Sequence, residues 1–265
     1  MGKFDGYLLL SDFDGTLAHS EVAEGGRLQA TKKAISRENC DAIRYFQSEG
    51  GLFTLATGRR FDWLEQWRSH FVPNTYVVSY NGACICSPDG KEELFSRPLE
   101  DFLPLAERIR SACPELVWVH FHSRGESPQI PKGEPIVPER LPSPIYKMVF
   151  YAHREQAEEY AGRIASLVGD RFVSMRSWVN GIEVLMQGAT KGAAIGRLKA
   201  ALGDRARTVV AVGDYENDAD MIREADIGYA VGNAVPTLKA AADRITVNAN
   251  ESAIAKIIAD LEREC

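Results

Sequence analysis

Short apolar runs alternate with amphipathic stretches in the first and last thirds of the chain. Residues 7–11, 52–56 and 208–212 are apolar runs of strand length, and polar or glycine residues follow each of them directly. Residues 36–51 begin at a serine suited to cap a helix, carry apolar side chains at helical spacing, and end at two glycines. Strands that alternate with helices in this way predict parallel β-α-β units and a doubly wound sheet.

The middle of the chain has a different pattern. Two short β segments flank a Ser-Pro-Asp-Gly turn at residues 87–90, which predicts a hairpin, and further strands and helices follow it. We therefore predict an α/β fold, with a Rossmann-like, doubly wound parallel sheet core formed by residues 1–82 and 189–265 and an α+β cap of residues 83–188 inserted between them. Residues 123–144 hold six of the twelve prolines, which predicts an extended surface loop.

Composition narrows the range of partners and compartments. The 265 residues carry a formal net charge of -6 with dispersed Lys and Arg, which argues against nucleic acid or an anionic membrane as a partner. Five cysteines and a short apolar N-terminal run without an export signal indicate a reducing cytoplasm. The sequence therefore predicts a cytoplasmic protein, and it leaves the oligomeric state open.

Carboxylates cluster where two of the predicted strands end. Asp12 and Asp14 follow the first strand, and Asp214 and Asp218 follow the apolar run at 208–212. Because the carboxyl ends of parallel strands meet at one edge of a sheet, these side chains are expected to lie together and to repel one another unless a cation intervenes. Oxygen ligands of this kind favour magnesium. The alternative is a set of acidic turns and helix caps.

Two further signals favour phosphate binding. Thr57 and Gly58 follow the second strand, where a hydroxyl, a glycine amide and a helix start form a phosphate cradle. Lys191 stands at the start of a predicted helix. Each signal is weak alone, because surface lysines and Thr-Gly turns are common.

Together, these four signals resemble the motifs of the haloacid dehalogenase superfamily of phosphohydrolases. DFDGT at residues 12–16 matches the first motif of that superfamily, Thr57 the second, Lys191 the third and GDYEND at residues 213–218 the fourth. SYNGA at the entry to the cap and VGNA near the end of the chain are similar to hallmarks of the Cof-type branch, whose larger cap is inserted after the third strand. The resemblance covers essentially the whole chain and is weakest in the cap.

The resemblance implies a reaction and a metal. Asp12 is the implied nucleophile, which forms an aspartyl-phosphate, and Asp14 is the implied general acid and then base. Mg²⁺ is implied to bind the Asp12 carboxylate, the Asp14 backbone carbonyl and the Asp214 carboxylate. Neighbouring carboxylates are expected to raise the pKa of Asp14, so that it can donate a proton near neutral pH.

The remaining motif residues receive supporting roles from the same resemblance. Thr57 and the Gly58 amide are implied to bind the transferring phosphoryl oxygens, and Lys191 to offset negative charge on the nucleophile and phosphate. Asn217 and Asp218 are implied to orient Lys191, the phosphate or metal-bound water.

The predicted function is that of a magnesium-dependent phosphatase that acts on a small phosphorylated metabolite, such as a sugar phosphate. A phosphomutase, or a sugar-biosynthetic phosphatase of the sucrose, trehalose or mannosylglycerate type, can use the same motifs and a related cap. A binding protein without turnover keeps the fold too, although Asp12, Asp14 and Asp214 are all present. The sequence does not identify the substrate.

Aromatic and polar residues of the cap supply specificity candidates. Trp178, Asn180 and Glu183 lie near the return from cap to core, a region that in this branch tends to face the substrate, although they can equally pack or cap the last cap strands. Trp63 and Trp67 lie four residues apart and are predicted to face the core rather than a ligand.

Two other features remain open. Cys84 and Cys86, together with His120 and His122, have alternating spacing that allows a soft-metal site, but ordinary cap strands explain them better. Residues 18–35 form a longer flap than is usual in the superfamily, and we expect a surface insertion rather than a substrate contact.

Overall fold

The structure is a computed structural model, and it describes residues 2–20 and 33–265. The strands of these residues are β1 (Tyr7–Ser11), β2 (His19–Ser20), β3 (Lys33–Ala34), β4 (Leu52–Leu55), β5 (Val77–Ser79), β6 (Cys84–Cys86), β7 (Glu93–Ser96), β8 (Trp118–Ser123), β9 (Gln129–Pro131), β10 (Ile145–Tyr151), β11 (Phe172–Trp178), β12 (Gly181–Met186), β13 (Thr208–Gly213), β14 (Ile227–Ala230) and β15 (Arg244–Ile245). The α-helices are α1 (Arg37–Ser48), α2 (Leu103–Ala112), α3 (Ala157–Leu167), α4 (Lys191–Leu202), α5 (Ala219–Glu224), α6 (Pro236–Ala241) and α7 (Ala253–Glu262).

The core is a parallel sheet with the strand order β15-β14-β13-β1-β4. A parallel bridge between Ala56 and Val78 places β5 beside β4. All strands of this sheet except the edge strand β15 are largely buried and apolar, because helices cover the sheet, with α1 packed against α7 and α4 against α5. The predicted Rossmann-like α/β fold is confirmed, and the carboxyl ends of β1, β4 and β13 meet at one edge.

The second large sheet is antiparallel, with the order β11-β12-β10-β8-β9. Its two faces differ because side chains alternate along each strand. On β8, Val119 and Phe121 are buried in an apolar cluster with residues of α2 and α3, whereas His120 and His122 lie on the opposite face. The helices thus cover one face, and the other carries polar side chains.

A small antiparallel sheet, β5-β6-β7, joins these two parts. The predicted cap hairpin is present, but its first strand also pairs with the third strand of the core. Alternation divides β6 between two clusters, since Ile85 packs in the cluster of the parallel sheet while Cys84 and Cys86 pack in that of the antiparallel sheet. The domain boundary at residues 82 and 83 stays a prediction, and it falls within this continuous structure.

Some predicted elements differ in kind or length. Trp63 and Trp67, whose spacing is that of an α-helix face, lie instead in a 3-10 helix, Asp62–Trp67. This helix has no side-chain N-cap, and the ring of Phe13 packs against both tryptophans. The proline-rich loop at 123–144 contains the edge strand β9 and a 3-10 turn, Pro138–Arg140. Most of the predicted flap, residues 21–32, lies outside the described residues. No helix of the described residues is long and apolar enough to cross a membrane.

Candidate active site

The acidic motifs converge at the carboxyl edge of the parallel sheet. The Asp12 N–H donates to the carbonyl of Val212 at 2.9 Å, so the β1–β13 ladder continues to the first residue beyond β1. The chain then turns at Gly15 with a φ of 83°. A Cβ atom at Gly15 would lie 2.3 Å from Oδ2 of Asp214. Glycine is therefore required both for the left-handed turn and for the close approach of the Asp214 carboxylate.

Lys191 joins two of these carboxylates beneath the edge of the sheet. Its side chain is fully buried, and Nζ lies 2.6 Å from Asp12 Oδ1 and 2.6 Å from Asp218 Oδ1. The other oxygen of Asp218 accepts hydrogen bonds from the backbone N–H groups of Asp214 and Tyr215. Asp218 therefore holds the lysine and the start of the fourth motif together, and the lysine fixes one oxygen of Asp12.

The cluster carries more negative charge than Lys191 offsets. Burial, followed by the charges of Asp218 and Asp14, raises the pKa of Asp12 to about 7 even though Lys191 opposes the shift. Burial, followed by the charges of Asp12 and Asp218, raises the pKa of Asp214 to about 9. An additional cation would offset the free-energy cost of ionising Asp12 and Asp214 in this buried position.

The donor set fits magnesium. Carboxylate oxygens of Asp12, Asp214 and Asp218 lie within 4.8 Å of one another, and Thr16 Oγ1 lies 3.4 Å from Asp214 Oδ1. Because both Asp218 oxygens already accept hydrogen bonds, Asp12 and Asp214 are the carboxylates with oxygens left to bind an ion. Hard oxygen donors of this kind suit Mg²⁺. The role of the Asp14 carbonyl stays a prediction.

Arg59 holds the side chain of Asp14. Its Nε and Nη2 donate to the two Asp14 oxygens at 2.7 and 2.8 Å, and the guanidinium stacks over the ring of Trp63 at 4.0 Å. This bidentate contact places a cation beside both oxygens of Asp14, and the raised pKa expected for Asp14 stays a prediction. Trp63, predicted to face the core, packs partly against it and also lines the cavity described below.

The predicted phosphate-binding residues lie beside this pair. Thr57 is buried, and its hydroxyl accepts a hydrogen bond from the Arg59 N–H at 3.1 Å. Asn217 Nδ2 donates to Asn81 Oδ1 at 3.2 Å rather than to Lys191. Gly58 and Asn217 both line the cavity above Asp12.

A cavity of about 600 Å³ lies between the parallel sheet and the polar face of the antiparallel sheet. This volume suits a small molecule. Its walls combine carboxylates and basic groups with two tryptophans. The lining residues are Asp12, Asp14, Gly58, Arg59, Arg60, Trp63, His120, His122, Ser127, Lys147, Val149, Ser177, Trp178, Glu183, Asp214 and Asn217.

The three specificity candidates are placed differently. Trp178 and Glu183 line the cavity, and Trp178 is 40% exposed. Asn180 is not among the lining residues; its Nδ2 donates to the carbonyl of Ala152, and Ala152 N–H donates back to the Asn180 carbonyl. The side chain of Asn180 thus fixes the turn between β11 and β12, and its role in specificity stays a prediction without geometric support.

The cysteine pair lies apart from the histidine pair. Cys84 Sγ is 3.3 Å from Cys86 Sγ, and with Glu93 these thiols form a group that could hold a soft ion. Arg124 already contacts both Cys84 and Glu93, so the group has a cationic partner. Among the described residues, no histidine completes this group.

The histidine pair belongs to the cavity instead. The rings of His120 and His122 lie 4.2 Å apart, and His120 Nε2 contacts the carbonyl of Ser127 at 2.6 Å. Burial, followed by the charge of Lys147, lowers the pKa of His122 to about 2. Burial lowers the pKa of His120 as well. The sequence predicted neither histidine as a site residue.

The fold and the motif cluster together define a phosphohydrolase of the haloacid dehalogenase type. The model of the haloacid dehalogenase-like hydrolase family matches residues 9–111 and 126–258, and the chain belongs to this family. The family match and the relatives described below confirm the assignment to the Cof-type branch and the assignment as a phosphatase.

Individual relatives are distant. The chain is 21% identical over 275 residues to a 5-amino-6-(5-phospho-D-ribitylamino)uracil phosphatase of Bacillus subtilis, covering 95% of this chain and 96% of the relative. It is 25% identical over 232 residues to an HMP-PP phosphatase of Klebsiella pneumoniae, covering 81% and 84%. The subclass IIB sugar phosphatase BT4131 has the same fold, with a TM-score of 0.74, 21% identity, and 96% and 98% coverage.

Proposed function

We propose that this protein is a magnesium-dependent phosphatase that transfers a phosphoryl group from a small phosphorylated metabolite to Asp12 and then to water. The observation that carries the proposal is the arrangement around Asp12. One of its oxygens is fixed by the buried Lys191, and Asp214 lies beside it with a raised pKa. A site that is short of positive charge and opens into a cavity suits a cation and a phosphate ester.

The first half-reaction forms the Asp12–phosphorus bond and breaks the bond from phosphorus to the ester oxygen. Asp14 donates its proton to that leaving oxygen. In the second half-reaction Asp14 accepts a proton from water, whose oxygen attacks phosphorus, releasing phosphate and restoring the Asp12 carboxylate. Arg59 donates hydrogen bonds to both oxygens of Asp14, so this contact must open before Asp14 can hold and donate a proton.

Asp12, Asp214 and the Asp14 carbonyl would hold Mg²⁺, which when bound offsets the charge of the phosphate dianion. Lys191 keeps Asp12 oriented and supplies a second positive charge. Thr57 and the Gly58 amide would bind phosphoryl oxygens.

The cavity and the relatives support a small substrate. Its volume of about 600 Å³ accommodates a monophosphate of a sugar or of a single heterocycle. The relatives are named for a phosphoribitylaminouracil, for HMP-PP and for sugar phosphates. We propose that Trp178 contributes directly to selection within this class, and that Glu183 acts only through the side chains it holds.

The test is phosphate release from a panel of sugar phosphates, nucleotides and phosphorylated cofactors, with Mg²⁺ and with a chelator. We expect release from one or a few compounds, and only with Mg²⁺. Transfer of the phosphoryl group to a sugar without free phosphate would identify a mutase instead. A folded protein that binds phosphate esters but releases phosphate from none of the panel would contradict the proposal.

A further inference from the structure

A continuous line of buried hydrogen bonds runs from the core motif to the antiparallel sheet. Asn217 Nδ2 donates to Asn81 Oδ1 at 3.2 Å, and Asn81 Nδ2 donates to Glu183 Oε2 at 2.8 Å. Lys147 Nζ donates to the same Glu183 oxygen at 2.6 Å. Lys147 and Glu183 are 4% and 1% exposed at their side chains. Apolar residues would fill the same space at a lower desolvation cost, so stability alone does not explain this buried ion pair.

Glu183 has little hydrogen-bonding capacity left for a substrate. Oε2 accepts from Asn81 and Lys147, and Oε1 accepts from the Ser177 hydroxyl. Three donors nearly saturate a carboxylate. Although Glu183 lines the cavity, its function is therefore to hold its donors in place.

Lys147 has donors to spare, and it faces the phosphate loop. Within residues 2–20 and 33–265, Glu183 is its hydrogen-bond acceptor and ion-pair partner, which leaves two of its three N–H groups. A Cβ atom built at Gly58 would lie 3.4 Å from Lys147 Nζ, so the ammonium stands directly over the loop after Thr57. Both Lys147 and Gly58 line the cavity.

The local charges favour an anion next to this ammonium. Burial lowers the pKa of Lys147, and the positive charges of Lys191 and Arg59 lower it further, although Glu183 opposes the shift. Lys147 and Arg59 both line the cavity beside Gly58, and the charge of Lys191 acts from below it. A phosphate oxygen beside Gly58 would offset the positive charge that Glu183 alone leaves uncompensated.

We propose that Lys147 is a substrate-binding residue whose ammonium donates a hydrogen bond to a non-bridging oxygen of the substrate's phosphoryl group, with Glu183 and Asn81 as positioning residues. This inference rests on the proposed function, since it assigns a ligand to the same cavity. It also means that the antiparallel sheet contributes a charge to phosphate binding. The competing explanation is that the Lys147–Glu183 pair only holds the two sheets together.

The test compares inorganic phosphate binding by the wild-type protein with that of Lys147→Met and of the double variant Lys147→Met/Glu183→Gln, using calorimetry with Mg²⁺ present. The double variant removes the charges of both Lys147 and Glu183, so that no unpaired buried carboxylate remains. The side-chain oxygen of the introduced glutamine can still accept the hydrogen bond from Ser177, which keeps the packing. Lys199→Met is the control, because Lys199 forms an exposed pair with Asp226. We expect phosphate affinity to fall about 10-fold or more in both Lys147 variants and to be unchanged in the control.

Stability separates the two explanations. We expect Lys147→Met to unfold at lower denaturant and the double variant to recover most of that loss without recovering phosphate affinity. Wild-type phosphate affinity in the folded double variant would overturn the inference. Phosphate binding is measured without turnover, so this result does not depend on whether the phosphate-release panel identifies a substrate. If no compound of the panel releases phosphate but phosphate binding still depends on Lys147, only the proposed reaction would be contradicted.

Discussion

Replacing Lys191 by Met tests the electrostatic account of the site. The substitution removes the ammonium that lies 2.6 Å from both Asp12 and Asp218 and leaves two buried carboxylates without it. Loss of one partner from a buried ion pair costs about 3–5 kcal/mol of unfolding free energy when the remaining charge stays ionised. The methionine roughly keeps the volume, so the loss reports mainly on charge.

The size of this loss should depend on pH. The pKa of Asp12 is raised to about 7 with Lys191 present, and removing the lysine raises it further. Below that pKa the carboxyl group takes up a proton and relieves the penalty, so the destabilisation should grow as pH rises from about 6 to about 8.5.

Denaturant unfolding in the presence of a chelator measures both effects. Lys199→Met, on the same helix, is the matched control, since its exposed pair with Asp226 should contribute less than about 1 kcal/mol. Turnover of Lys191→Met should fall about 100-fold or more. Equal stability losses for the two variants, or a loss independent of pH, would refute the reasoning.

Three other predictions concern the same edge of the sheet. Asp12→Asn should abolish phosphate release while circular dichroism stays that of the wild type; near-normal turnover in the folded variant would exclude Asp12 as nucleophile. Gly15→Ala places a methyl group against Asp214 and should weaken Mg²⁺ binding in calorimetry about 10-fold or more, and unchanged affinity would contradict the steric argument. The protonated carboxyls of Asp12 and Asp214 contribute stability that is lost as pH rises through about 7 and about 9. Mg²⁺ should therefore raise the melting temperature more at about pH 8.5 than at about pH 6. An equal rise at the two pH values would argue against Asp12 and Asp214 as its ligands.

The parallel sheet and its motifs follow from local signals. The first, second and fourth motifs each stand directly after an apolar run, and parallel strands present their carboxyl ends at one edge. The meeting of Asp12 with Asp214 therefore requires no knowledge of distant contacts. The Lys191–Asp12 contact was predictable only through the family resemblance, because a lysine at a helix start has no distinctive local pattern.

The cap side of the site depends on contacts that local patterns do not encode. Lys147 sits in the buried strand β10 between apolar neighbours, which is a signal that a charged side chain has a special role, but its partner Glu183 lies 36 residues further on. The Arg59–Asp14 pair spans 45 residues and depends on how two loops meet at the sheet edge. Trp63 was assigned to the core because the spacing of residues predicts which face of a helix they share, but not whether that face contacts the core or a cavity.

The most direct test of the central claim is to identify the side chain that carries the phosphoryl group during turnover. Wild-type and Asp14→Asn proteins are mixed with Mg²⁺ and acetyl phosphate, whose leaving group needs no protonation, quenched in acid and mapped by peptide mass spectrometry. We predict one phosphoryl group on Asp12, with greater occupancy in Asp14→Asn because the hydrolytic step lacks its base. Turnover with Asp12 unmodified, or with the phosphoryl group on another side chain, would contradict the account.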